Sequence, residues 1–321
     1  MKKMMEEFPK SNQVEKIAYY PGCSLNSTAM DFNISLKNLL KLLGIEFEEI
    51  DDWNCCGTTP AHNVSEELSI ILSARNLLLA KKMGYENILS PCVSCYCKLL
   101  IASKIINSNA KPENKLEDNR RNLVLKELEN MGFDMGQELD FNVYSIVHFL
   151  FLIKEKIRNK YLEVKDEVAN TKEVEFLKSL KPVCYYGCVI LRPGYVIKFD
   201  SIENPTSMER ILKEVEIESL NFPFKTECCG AILSLTNKNI VMELSEKILS
   251  AAQDSGANCI IVFCPLCQQN LDLRQSQINK YFKSNYKIPV FYISQILGLA
   301  LGLSYKNTMI DKLFVGPDIR I

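Results

Sequence analysis

Hydrophobic residues along this chain follow two rhythms. Short β-branched and aromatic runs read as strands, and longer stretches with apolar residues three and four apart read as helices. The run Ile17-Ala-Tyr-Tyr-Pro-Gly-Cys23 predicts a strand ending at a cysteine. Asp31 to Leu43 predicts a helix, with Phe32, Leu36, Leu39, Leu40 and Leu43 on one face and Gly44 as the stop. Ile45 to Ile50 reads as a strand, Ser65 to Met83 as a helix with a capping-box-like start, and Asn87 to Ser90 as a third strand. The same order returns later. Val183-Cys-Tyr-Tyr-Gly-Cys188 is a strand, Pro205 to Val215 a helix, Ile217 to Asn221 extended, Asn239 to Ser255 a helix and Cys259 to Phe263 a strand. Alternating strands and helices argue for an α/β protein with parallel sheets and right-handed crossovers.

The stretch between the two copies is different. Asn107 to Arg121 is polar and reads as a loop, while Arg121 to Met131 and Val147 to Ile157 look helical. Lys154 to Lys181 is a charged segment that joins the copies. The predicted organisation is a tail over 1–16, a domain over 17–147, a helical linker over 148–181, a second domain over 182–305 and a tail over 306–321.

Composition narrows the classes. At 321 residues and 47% hydrophobic, the chain can fill two cores. A net charge of −1 gives no electrostatic case for nucleic acid or an anionic membrane. The longest apolar runs, Val147 to Ile153 and Ile296 to Leu303, fall well short of the roughly 20 residues that span a bilayer. The first 16 residues lack the apolar core of a signal peptide, so the expected location is cytoplasmic. In that reducing compartment thirteen cysteines call for metal or redox chemistry rather than disulfide staples.

Ten of those cysteines repeat the hydrophobic order. Cys23, Cys55-Cys56-Gly57 and Cys92-Val-Ser-Cys95 match Cys188, Cys228-Cys229-Gly230 and Cys264-Pro-Leu-Cys267, with 36 and 35 positions from the pair to the next cysteine. Each follows the carboxyl end of a predicted strand or extended run, the edge where sites assemble in open α/β sheets. A CysXXCys pair entering a helix suits zinc, an iron–sulfur cluster or a dithiol. Adjacent cysteines reach one centre only if the backbone turns, which Gly57 and Gly230 permit at positive φ. Structural zinc and a cubane cluster each use four ligands. Five per copy leave a spare thiol or require a larger, more open cluster. Cys97, Cys184 and Cys259 have no counterpart and read as core filler. His148 reads as structural and Trp53 as a packing wall.

The order Cys, CysCysGly, CysXXCys, given twice, resembles the CCG domain found in the B-type subunits of the heterodisulfide reductase family. Tyr20-Pro-Gly-Cys23, Glu203-Asn-Pro-Thr-Ser-Met208, Lys225-Thr-Glu-Cys-Cys-Gly230 and Cys264-Pro-Leu-Cys-Gln-Gln-Asn-Leu-Asp-Leu-Arg274 carry the resemblance. It implies two tandem Rossmann-like CCG domains with clusters at the carboxyl ends of the strands. It further implies two noncubane [4Fe–4S] clusters. One would be ligated by Cys23, Cys55, Cys56, Cys92 and Cys95, and the other by Cys188, Cys228, Cys229, Cys264 and Cys267. Family members reduce a mixed disulfide, such as that of coenzymes M and B, to two thiols in methanogenesis, with the cluster sites around Cys55, Cys56, Cys228 and Cys229 as the catalytic centres. Their partners are a small ferredoxin-like subunit and a large flavin-bearing, electron-bifurcating one, at times with a hydrogenase or dehydrogenase module. This chain has no GxGxxG, so no flavin or nicotinamide is expected on it. Candidate contacts to an anionic substrate are Arg192, Lys198, Lys225, Arg274 and Lys98, with His62 lining the first site. The alternatives are an electron-transfer subunit of another CCG-domain dehydrogenase or reductase, and a zinc-structured scaffold.

Overall fold

The structure is a computed structural model that describes residues 16–317 apart from 59, 108, 110–113, 193, 195 and 198. The described residues form two compact units, 16–24 with 45–146 and 25–44 with 147–317.

In the first unit four parallel strands lie in the order β2-β1-β3-β4, with β1 Lys16–Tyr19, β2 Glu46–Glu49, β3 Asn87–Ser90 and β4 Asn142–Ser145. Ala18 pairs with both Glu48 and Ile88, so β1 sits inside the sheet, and Ile17, Ala18 and Tyr19 are buried. Helix Glu66–Lys82 starts as the sequence predicts. Ser65 accepts the Leu68 amide at 3.2 Å, Glu66 and Glu67 occupy the first turn, and Lys81 and Lys82 the last. It packs on helix Val93–Ile106. Helix Lys115–Asn130 follows and takes in Lys115 to Arg121, expected as loop, and strand β4 after it is an addition to the predicted order.

In the second unit three parallel strands lie in the order β5-β6-β7, with β5 Pro182–Cys184, β6 Cys259–Val262 and β7 Val290–Tyr292. The extended run at Ile217 to Asn221 does not become a fourth strand. Its one ladder-type bond is the Leu220 amide to the Pro182 carbonyl at 2.8 Å. Pro182 has no N–H to give the carbonyl of Glu218, so the pairing does not extend toward the start of the run. Residues 148–181 contain helices Lys154–Val168 and Lys172–Ser179 and fall within the second unit.

Helix Met30–Leu42, predicted from the first copy, packs in this second unit. Phe32 stacks on Tyr292 with ring centroids 4.2 Å apart, and Ser35 Oγ meets Ser294 Oγ at 2.8 Å. Phe32, Leu36, Leu39 and Leu40 are fully buried.

Candidate metal centre

Each unit turns its first strand into a cysteine through the same device. The Tyr20 amide bonds to the Leu89 carbonyl of β3 at 2.9 Å, and the Tyr185 amide to the Ile261 carbonyl of β6 at 2.9 Å. Each tyrosine then reaches to the loop carrying the adjacent pair. Tyr20 Oη donates to the Asn54 carbonyl at 2.8 Å, and Tyr185 Oη to the Glu227 carbonyl at 2.7 Å. These carbonyls belong to the residues just before Cys55 and Cys228. In the sequence both tyrosines read only as strand formers, although their common offset of three before Cys23 and Cys188 marks them. Tyr20→Phe or Tyr185→Phe is expected to cost about 1 kcal/mol and to loosen only its own cysteine loop. Thermal unfolding together with site-resolved metal content checks this.

Between tyrosine and cysteine lie Gly22 and Gly187, both at φ +69°. A β-carbon on Gly22 would stand 2.9 Å from Cys95 Sγ, and one on Gly187 3.1 Å from Cys267 Sγ. The backbone therefore passes directly over the second sulfur of each CysXXCys. Gly57 and Gly230 take the positive φ expected of them, 76° and 75°, and their amides donate to Cys55 Sγ at 3.4 Å and to Cys228 Sγ at 3.3 Å. Cys92 is the N-cap of Val93–Ile106, and Cys264 the N-cap of Pro265–Leu271, with Pro265 at the first helical position.

The sulfurs crowd in matching ways. Cys56 Sγ lies 3.3 Å from Cys95 Sγ, and Cys229 Sγ 3.5 Å from Cys267 Sγ. Hydrogen bonds from Cys55 and then Cys95 push the Cys56 thiol down to about 3, while the same bonds raise their donors. The Cys95 bond likewise lowers Cys92. In the second unit Cys188 lowers Cys228 to about 6, with Arg192 adding to the shift, and Cys267 lowers Cys229. Each site thus shares protons between thiolates and thiols. Positive charge placed among the sulfurs would release the remaining protons, since metal coordination deprotonates a thiol. Among the described residues no three His, Cys, Asp or Glu side chains are arranged around one ion. The sulfur contacts of the first unit run on from Cys55 to Cys56, Cys95 and Cys92. A sulfur-only donor set of five, backbone amides aimed at sulfur, and glycines where a side chain would strike a ligand all fit an iron–sulfur cluster.

The sites differ at their rims. Cys23 and Cys55 are exposed and Cys188 and Cys228 half-buried, while the other six are buried. His62 is exposed at the first site, with Nδ1 3.2 Å from Lys98 Nζ. Arg192 is exposed near Cys228. Lys225 is buried, and its ammonium is committed to Glu209 at 2.7 Å. Arg274 Nε donates to Asn270 Oδ1 at 3.2 Å. Lys198 lies outside the described residues. Cys97, Cys184 and Cys259 are buried, His148 is buried against Phe199, and Trp53 packs edge-on against Tyr20.

The fold and the paired sites define a tandem cysteine-rich α/β protein. The chain belongs to the CCG cysteine-rich domain family, whose profile matches residues 17–100 and 183–272. It is 30% identical over 293 residues to the 8-methylmenaquinol:fumarate reductase membrane anchor subunit of Wolinella succinogenes, covering 91% of this chain and 94% of that one. It is 27% identical over 305 residues to the B-type subunit of the ferredoxin/F420H2-dependent CoB–CoM heterodisulfide reductase of Methanosarcina acetivorans, covering 92% and 93%. A hypothetical protein from Helicobacter pylori shares the fold with a TM-score of 0.64 at 15% identity, and the match spans 98% of this chain and 56% of that one. No helix among the described residues is long and apolar enough to cross a membrane.

Proposed function

We propose that this chain is an iron–sulfur redox subunit of an oxidoreductase complex. One cluster is held by Cys23, Cys55, Cys56, Cys92 and Cys95, and the other by Cys188, Cys228, Cys229, Cys264 and Cys267. The observation that carries the reading is the repeated packing of backbone against sulfur at Gly22 and Gly187, each over the second sulfur of its own CysXXCys. A fifth thiol at matching places in both copies favours noncubane four-iron clusters over a closed four-ligand zinc site.

Bound there, two clusters supply one-electron storage at two places on one chain. The residues of the chain do the rest. Tyr20 and Tyr185 pin the loops that present the adjacent cysteines. The amides of Gly57 and Gly230 offset thiolate charge at Cys55 and Cys228. Buried Cys56, Cys92, Cys95, Cys229, Cys264 and Cys267 keep water from the inner side of each site, while Cys23 and Cys55 leave the first site an open edge.

The similarity to a membrane anchor subunit of a fumarate reductase supports a place within a multi-subunit reductase, where this chain would pass electrons between partner subunits. A second reading is reduction of a mixed disulfide to two thiols. The exposure of Cys23 and Cys55 favours it, because a small disulfide could reach the first site. The heterodisulfide reductase relatives point the same way.

Purified without oxygen, the protein is expected to be brown and to carry about eight irons and matching acid-labile sulfide. A colourless, iron-free preparation would end the proposal. Mixing the reduced protein with small disulfides separates the two readings. Reoxidation with release of two thiols assigns the disulfide reaction, and inertness leaves electron transfer.

A further inference from the structure

We propose that Asn270, oriented by Arg274, is a positioning residue that sets the reduction potential of the second site and not the first. The proposal rests on the iron–sulfur reading above. Asn270 is 1% exposed and lies on helix Pro265–Leu271, three residues beyond Cys267. Its Nδ2 donates to the Cys229 carbonyl at 3.1 Å and faces Cys229 Sγ at 3.6 Å. Its Oδ1 accepts Arg274 Nε at 3.2 Å and meets Ser234 Oγ at 3.1 Å. A guanidinium only donates, so the amide cannot turn its oxygen toward Cys229 without losing that bond. Arg274 is held in turn by a second bond, to the Ser234 carbonyl at 3.2 Å. The result is a buried N–H fixed on a cluster sulfur, with a cation behind it.

Among the described residues the first site has no such chain. The residue three beyond Cys95 is Lys98, which reaches to His62. The Cys56 carbonyl is satisfied by Ser73 Oγ at 2.9 Å, and Cys56 Sγ meets Thr58 Oγ1 at 3.1 Å. Thr58 has another acceptor in the Ser94 carbonyl at 3.4 Å, so its hydroxyl proton can turn away from the sulfur. An N–H held on a ligand sulfur stabilises the electron-rich reduced state and raises the potential. Backbone amides of Thr58 and Ala231 serve Cys56 and Cys229 alike, so the side-chain donor of Asn270 is the addition that acts on the second site alone.

The test is an anaerobic redox titration of the loaded protein followed by visible and paramagnetic resonance spectra. Asn270→Leu keeps roughly the side-chain volume and removes the N–H without adding the buried negative charge of an aspartate, which would lower a potential by itself. It is expected to lower one midpoint by at least about tenfold in the reduction equilibrium, about 59 mV for one electron, and to leave the other unchanged. Arg274→Gln, which frees the amide, is expected to shift the same midpoint in the same direction by less. Thr58→Val is expected to leave that midpoint in place. Full iron with both midpoints unmoved in Asn270→Leu and Arg274→Gln overturns the inference. Loss of half the iron in both variants also overturns it, since the role would then be structural. Iron counted in the wild-type protein beforehand separates either failure from a failure of the cluster reading.

Discussion

Replacing Gly22 or Gly187 by alanine is expected to empty one site and leave the other loaded. Two costs combine at each position. The backbone sits at φ +69°, where a side chain adds about 1–2 kcal/mol of strain. The new β-carbon would also stand 2.9 Å from Cys95 Sγ or 3.1 Å from Cys267 Sγ, well inside ordinary contact. Relief requires that sulfur to move by several tenths of an ångström, and ligand distances tolerate only about 0.2 Å. Gly84 and Gly256 isolate the first cost from the second. They sit at φ +87° and +75° with nothing within 4 Å of an added β-carbon. Gly84→Ala and Gly256→Ala should therefore lower the melting temperature slightly and keep all iron. Gly22→Ala and Gly187→Ala should show a similar melting loss for the polypeptide but hold about half the wild-type iron and sulfide. Full metal content in either of the latter pair would mean that the close approach over the sulfur has no role in holding a cluster.

Much of this site was legible in the cysteines and glycines because their demands are local. A sharp turn after an adjacent pair needs positive φ, and Gly57 and Gly230 supply it where the sequence says. A CysXXCys entering a helix needs the first cysteine at the N-cap, and Cys92 and Cys264 are there. The parallel α/β class followed from alternating patterns whose periods are properties of short segments. What stayed hidden was the identity of partners. The apolar face of Met30–Leu42 is plain in the sequence, but its burial against Tyr292 and Ser294, some 260 positions away, is not. One bond missing from the ladder at Ile217 to Asn221 is lost to Pro182, a residue opposite the run and not within it. The same limit applies to charge. A basic residue beside a cysteine motif can face a substrate, a carboxylate or a carbonyl, and only the fold says which. Arg274 proves to hold an asparagine and a loop carbonyl, and Lys98 to meet a histidine.

Lys225 offers the sharpest trial of that point, and Lys225→Met is expected to be among the most destabilising single changes in the chain. Its side chain is 10% exposed and that of Glu209 21%. Nζ bonds Glu209 Oε1 at 2.7 Å and the Pro205 carbonyl at 3.1 Å, and lies 6.0 Å from the centre of the Tyr186 ring. The Tyr186 hydroxyl bonds Glu209 and accepts the Met208 amide at 2.6 Å. The Lys225 carbonyl accepts the amides of Tyr186 and Gly187 at 2.8 and 3.1 Å, tying the strand that leads to Cys188 to the loop that leads to Cys228. Removing the ammonium alone leaves a largely buried carboxylate facing a phenol and no cation. Breaking such a pair costs about 3–5 kcal/mol, with the partial exposure of Glu209 placing this one near the lower figure. Taking out both charges removes the conflict, so Lys225→Met with Glu209→Gln should recover most of the loss. Urea unfolding of the three variants measures it. The opposite pattern would be a Lys225→Met protein of wild-type stability whose apparent affinity for substrate collapses. That outcome would return the ammonium to the substrate role that its place beside Cys228 first invited, and would show that the ion pair opens during turnover.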